Sequence, residues 1–319
     1  MFVDMPLDQL REYLPARREP ADFAEFWERT LTEARKHDLG AVFTEVETGL
    51  AEVRCSDATF AGYGGHPVRG WLLTPARETG PLPCVVQYIG YNGGRGFPHD
   101  WLLWPSAGWA TFVMDSRGQG SGSRHGDTPD PAAAGNPPRR VGSPRASRRP
   151  TTTTTGGSTP TPCAPWRPPA PTLVDASRIV VSGGSQGGGI AMAVSALVPD
   201  LLHAFIDVPF MTHIRHATEI TDSEPYAELA RFFTAQRHRV EEVFATLDYF
   251  DGVNFAARST TPALFSVALR DGITPPSTVF AAYNHYAGPK DIRVWPYNAH
   301  EGGGSAQVAE QLAVAAGLR

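Results

Sequence analysis

With 319 residues, 41% of them apolar, the chain is long enough for one α/β domain with insertions and a large buried core. A formal charge of −5, with no Lys/Arg-rich run outside one odd segment, argues against a nucleic-acid or anionic-membrane surface. No apolar run approaches the roughly 20 residues that a membrane span needs. Cys55, Cys84 and Cys163 lie far apart without CxxC spacing, which fits reduced thiols rather than a disulfide framework or a zinc site. The opening "MFVDMPLDQLREYLPARREP" scatters charges along its length and has no apolar stretch of the signal-peptide kind, so a cytoplasmic location is expected.

In chain order, "PADFAEFWERTLTEARKH" predicts a first helix. Phe23, Phe26, Trp27, Leu31 and Ala34 recur at helical spacing, and Asp22 with Glu25 has the form of a capping box. "AEVRCSDATF" and "PVRGWLLTPA" flank "AGYGGH", a hairpin signal. Six short apolar runs follow: "PCVVQYIG", "GWATFVMD", "RIVVSGG", "HAFIDVPF", "PALFSVAL" and "IRVWPY". Runs apolar on both faces predict strands of a mostly parallel sheet covered by helices, an α/β fold. Residues 223–258 read as a helical insertion before the fifth of these runs. "PSTVFAAYNHY" and "SAQVAEQLAVAAGL" read as closing helices, and no internal repeat is present. The whole reads as one α/β domain over 1–319.

The chemistry centres on "IVVSGGSQGGGIAMAV", a strand, a turn with Gly183, Ser185 and Gly187 in G-x-S-x-G spacing, and a helix. Such a turn is so tight that residues two before and two after the serine must lack side chains. It lifts the Ser185 hydroxyl to the N-terminus of a helix, whose dipole favours a developing anion. A serine nucleophile needs a base, and in this architecture the acid and then the histidine follow it in the chain. Of His203, His213, His216, His238, His285 and His300, only His300 follows a late strand into a Gly-rich loop, "VWPYNAHEGGG"; His285 falls in a predicted helix. Asp271 ends the run "PALFSVALRDG", whereas the alternatives Asp251 and Asp291 lack a strand-end position. Ser185, Asp271 and His300 are therefore the expected nucleophile, orienting acid and base. One oxyanion donor is expected from the N–H of Gln186, after the nucleophile. The other should come from the loop "QYIGYNGGRG", where Tyr91 and Asn92 are both suitably placed. "MDSRGQGSG" follows a strand, and its Arg117 is expected to tie loops together beneath the site. This chemistry calls for no metal and no organic cofactor.

Three motifs taken together, "RGQG" at Arg117–Gly120, "GGSQGG" at Gly183–Gly188 and "HE" at His300–Glu301, resemble carbohydrate esterase family seven, the acetyl xylan esterase and cephalosporin-C deacetylase group. "DFAEFWERTL" and "RDGITPPSTVFAAYNHY" are similar to that family too, and the similarity spans nearly the whole chain. The resemblance implies an α/β-hydrolase fold and a Ser185–Asp271–His300 triad. It implies an oxyanion hole from the N–H groups of Tyr91 and Gln186, with Arg117, Gly118, Gln119, Gly183 and Gly187 in supporting roles. It further implies removal of acetyl groups from short sugar esters or cephalosporin-like compounds, by a ring-shaped homohexamer. The rival expectations are a broader carboxylesterase or peptidase of the same fold, and a catalytically dead product.

One stretch breaks the pattern. "RRPTTTTTGGSTPTPCAPWRPPAPT", Arg148 to Thr172, stands where the resemblance implies a Tyr-rich helix. Reading threonine codons one nucleotide back turns ACT into TAC, tyrosine. Applied over Val141–Pro171, the shift permits a Tyr-rich string with helical periodicity. The expectation is a pair of compensating frameshifts, entering near Pro138 and leaving near Thr172, against the alternative of a genuine Thr/Pro insertion.

Overall fold

The structure, a computed structural model, describes residues 3–130 and 173–319; the anomalous segment expected over about 138–172, with Cys163, lies outside the described residues. Nine strands form one sheet: β1 (Val42–Val46), β2 (Val53–Ala61), β3 (Pro67–Pro75), β4 (Leu82–Tyr88), β5 (Ala110–Met114), β6 (Val174–Gly184), β7 (His203–Asp207), β8 (Ala263–Ala268) and β9 (Lys290–Trp295). Their spatial order is β1-β2-β3-β5-β4-β6-β7-β8-β9. The pairs β1–β2, β2–β3 and β3–β5 are antiparallel and every later pair is parallel. The expected hairpin is β2–β3, and all six expected apolar runs are strands. β1, which carries little periodicity because most of it faces solvent at the sheet edge, was not expected.

Burial explains the two strand types. β2 alternates buried and half-buried positions, whereas β5 and β8 are buried throughout. In the parallel half, neighbouring residues divide between two cores. Val86, Val181, Ile206 and Phe265 face one side, with Ala191 and Met192 of α4 (Gln186–Leu197), Val253 and Ala256 of α8 (Gly252–Ala256) and Ala281 of α9 (Pro276–His285). Val85, Val180, Phe205 and Leu264 face the other, with Trp104 of α3 (Leu103–Ser106) and Ala315 of α10 (Gly304–Ala316). The period-2 alternation of strands thus covers both faces with helices.

At the N-terminus, α1 (Leu7–Glu12) buries Leu10, and α2 (Phe23–Ala34) packs Phe23, Phe26 and Trp27 on Ala193 and Phe255. The Asp22–Glu25 capping box is not formed. Asp22 makes no side-chain cap and its carboxylate instead accepts the Tyr249 hydroxyl, a long-range partner that outcompetes the local one. Between β7 and β8 lie α5 (Ile214–Ile220), α6 (Tyr226–Ala235), α7 (Val240–Leu247) and α8, so the expected insertion is helical and begins earlier than 223. It has its own core of Phe210, Ile214, Ala217, Tyr226, Val243, Phe244 and Leu247. Among the described residues, no helix is long and apolar enough to cross a membrane.

Candidate active site

The candidate residues leave the sheet at one edge, the C-terminal ends of its parallel strands, where an open α/β sheet forms its binding crevice. Tyr91 follows β4, Ser185 follows β6, Asp271 follows β8 and His300 follows β9.

Ser185 is the N-cap of α4 with φ 57° and ψ −122°, a conformation that residues with side chains rarely adopt. The backbone around it is fastened on both sides. Its N–H donates to the Asp207 carbonyl (2.9 Å), and its own carbonyl accepts from Gly189 (3.0 Å) and Phe210 (2.9 Å). The tight turn also requires the flanking glycines. A Cβ on Gly183 would lie 2.3 Å from the Gly187 backbone, and one on Gly187 would lie 2.2 Å from the Tyr88 carbonyl oxygen. Neither site has room for any side chain, which is the spatial meaning of the G-x-S-x-G spacing.

Asp271 is 0% exposed. Its Oδ1 accepts the N–H groups of Ile273 (2.8 Å) and Thr274 (3.0 Å), and its Oδ2 accepts the Thr274 hydroxyl (2.7 Å). The same Oδ2 lies 2.9 Å from His300 Nδ1. This pair joins loops from two strands and leaves the imidazole partly open, at 28% side-chain exposure, beside its closed carboxylate. Thr274 was not singled out in the sequence, although the "DGIT" turn, an aspartate accepting from the backbone two and three residues on, is a signal that could have found it.

The alternatives fall elsewhere. Asp251 caps α8 and binds the N–H groups of Val253, His213 and Ile214. Asp291 is an exposed β9 residue paired with Arg293. His285 contacts the Pro15 carbonyl at 2.8 Å.

Gln119 organises the two expected oxyanion arms. Its Oε1 accepts the Asn92 N–H (2.7 Å), and its Nε2 donates to Gln186 Oε1 (3.1 Å). With the Asn92 N–H engaged by Gln119, Tyr91 is the better placed of the two residues left open by the sequence. Gln186, first residue of α4, has no intrahelical acceptor for its N–H. The Tyr91 hydroxyl donates to Glu228 Oε1 (3.0 Å), which fastens this loop to α6 of the insertion; Glu228 had no distinguishing signal in the sequence. Arg117 is buried, reaching the Tyr63 carbonyl (3.3 Å) and Asp130 (3.8 Å), and Gly118 beside it takes φ 74°. Among the described residues, no group of three or more His, Cys, Asp or Glu side chains could hold a metal ion.

A strained serine at a strand–helix turn, with an aspartate–histidine pair supplied by later strand ends of a mostly parallel sheet, defines an α/β-hydrolase. The sequence matches acetyl xylan esterase (AXE1) over residues 1–139 and 170–318, so the chain belongs to that family of carboxylic-ester hydrolases. It is similar to the acetyl xylan esterase of Paenibacillus sp. R4, with 36% identity and a TM-score of 0.89 over 98% of this chain and 99% of that one. It is also similar to acetyl xylan esterase 1 of Thermoanaerobacterium sp. JW/SL YS485, with 31% identity and a TM-score of 0.80 over 97% and 98% of the two chains. The acetyl esterase Axe7A of Xylanibacter ruminicola is 27% identical over 128 residues. That alignment covers 40% of this chain and only 28% of the relative, so the chain spans a small part of that longer protein.

Proposed function

We propose that the protein is a serine esterase that removes acetyl groups from small or oligomeric sugar esters through an acyl-enzyme. His300 takes the Ser185 proton, and Ser185 attacks the acetyl carbonyl. Asp271 holds the imidazole in the tautomer with Nδ1 protonated and stabilises the imidazolium that forms. The N–H groups of Gln186 and Tyr91 receive the oxyanion, with Gln119 bracing both arms. His300 then protonates the leaving sugar oxygen, and water, activated by the same base, releases acetate. The observation that carries this reading is the 2.9 Å contact of His300 Nδ1 with the buried Asp271 carboxylate, on the strand-end edge that also holds the strained Ser185.

The test is hydrolysis of p-nitrophenyl acetate and of acetylated xylo-oligosaccharides by the native chain and by Ser185→Ala. Full activity in the alanine variant sinks the assignment. Rates that stay level as the acyl chain lengthens would favour a broader carboxylesterase. A cephalosporin-like acetyl ester as substrate, a homohexameric assembly and a cytoplasmic location are proposed alongside, and light scattering on the purified protein tests the assembly. The compensating frameshifts over about 138–172 are also proposed, supported by the gap at 140–169 in the family match. Resequencing the coding DNA decides them: codons 141–171 that cannot spell the Tyr-rich string one nucleotide back end the idea.

A further inference from the structure

Asp207, the last residue of β7, is half-buried, and the proposed mechanism does not use its carboxylate. Among the described residues it has no ion-pair partner. Its two oxygens are instead shared between two neutral amides on one face of α10: Gln307 Nε2 donates to Oδ1 (2.9 Å) and Gln311 Nε2 donates to Oδ2 (2.6 Å). Burial pushes its pKa up to about 6, against the lowering effect of the Ser266, Gln311 and Gln307 side chains. A carboxylate drawn partly out of water and held only by neutral donors is a costly arrangement for a residue with no task.

What surrounds it indicates the task. The Asp207 backbone carbonyl accepts the Ser185 N–H, and its Cβ lies beside Gly184 of the elbow. On the other side, the orientation of the Gln307 amide is unambiguous, because its Oε1 accepts from Trp295 Nε1 (3.1 Å) and an indole nitrogen can only donate. Trp295 ends β9 and begins the loop that carries His300. The far end of that loop returns to the same ring. Gly303, at φ 94°, lies so close that a Cβ there would be 2.3 Å from the indole. A continuous chain therefore runs from the elbow through Asp207, Gln307 and Trp295 to both ends of the histidine loop.

We propose that Asp207 is a positioning residue whose carboxylate, through Gln307 and Trp295, sets the His300 loop against the Ser185 elbow. The proposal rests on the triad reading above. Asp207→Asn keeps the backbone bond to Ser185 but removes the charge: with its oxygen still accepting from Gln307, its NH2 faces Gln311, which must turn its amide over to accept, so both anchoring bonds lose their charge assistance.

The test measures kcat and KM for p-nitrophenyl acetate per folded protein in the native chain, Asp207→Asn, Gln307→Met and the double variant, with Ser185→Ala alongside. Each single variant is expected to lose about 10- to 100-fold in kcat, the scale of a misplaced catalytic group, with KM within about twofold. The double variant is expected to be no worse than the weaker single, because the two act through one chain. Native kcat in folded Asp207→Asn, or losses that multiply in the double variant, overturns the proposal while an inactive Ser185→Ala leaves the triad standing. If Asp207→Asn does not fold, native kcat in Gln307→Met overturns it by itself. Activity retained in Ser185→Ala removes the triad reading and this proposal with it.

Discussion

Asp271→Asn is the sharpest probe of the proposed triad, because the structure dictates how the amide must sit. Oδ1 accepts two backbone N–H groups, from Ile273 and Thr274, and those donors cannot turn away. The amide oxygen is therefore held at Oδ1, and the NH2 group takes the place of Oδ2. There it faces His300 Nδ1 at 2.9 Å and the Thr274 hydroxyl at 2.7 Å. The hydroxyl can rotate to accept, but the imidazole can accept only by moving its proton from Nδ1 to Nε2. A histidine protonated at Nε2 has no lone pair to offer Ser185, so the variant is folded with its base in the wrong tautomer. The expected loss in kcat is about 10⁴-fold, or roughly 5 kcal/mol of transition-state stabilisation. The loss in stability is smaller, about 1.5–3 kcal/mol for one charge-assisted hydrogen bond. The assay is steady-state hydrolysis of p-nitrophenyl acetate, with urea unfolding on the same preparation. A folded variant that keeps more than about a tenth of native kcat would refute the tautomer argument.

Gly187→Ala puts a methyl group 2.2 Å from the Tyr88 carbonyl oxygen, backbone against backbone. It is expected to cost more than about 3 kcal/mol and most of the activity; unfolding at native urea concentration would show that the turn can relax. Gln119→Leu removes the partner of the Asn92 N–H and the link to Gln186, and is expected to lower kcat about 10- to 100-fold for every ester tested. Loss for long acyl chains only would place Gln119 in the acyl pocket instead. Burial, with repulsion from His216 and His285, lowers the pKa of His213 to about 4, so its contribution to stability is complete above the unfolded value of 6.5 and is lost as pH falls toward 4. His213→Asn, an exchange suited to the left-handed φ of 48°, should lose on the order of 2 kcal/mol less between pH 7 and pH 4.5 after allowance for partial exposure. Parallel stability curves for the two proteins would contradict this.

The parts of the fold legible in the sequence were those with a strong local cause. Strands buried on both faces announce themselves as unbroken apolar runs, and the elbow glycines are required by contacts within a few residues. His300 stood out because its loop is rich in glycine, and Asp271 because it closes a strand. The missed pieces depend on distant partners. β1 is a strand because it pairs with β2, not because its sequence alternates strongly. α1, of six residues, is too short to show a period. Asp22 carries a local capping pattern yet binds Tyr249, a contact the chain creates only on folding. Asp207 was hidden inside "HAFIDVPF", which reads as one more apolar strand, and its glutamine partners lie 100 residues or more further along. The choice between Tyr91 and Asn92 likewise needed Gln119, which belongs to another loop.

The irregular segment poses a different question, since every residue assigned to the chemistry lies outside it. The candidate site draws on residues 91–119 and 185–300, and the family match resumes at residue 170, before β6 begins at Val174. β6 is in parallel register with both β4 and β7, from Val180 through Gly183, so the elbow strand is fixed from both sides by sequence that matches the family. The sheet thereby separates the two possible effects of the segment. A chain with the frame restored over 141–171 should differ from the chain as written in yield and in melting temperature, by an amount that reflects apolar surface gained. Its kcat per folded protein should be the same within about twofold, because Ser185, Asp271 and His300 are positioned by the ends of β6 to β9 and by α10, all of which lie outside the segment. A restored chain that is faster by tenfold or more per folded molecule, at equal folded fraction, would show that the segment reaches the site, and the triad's geometry would then depend on residues beyond those strands.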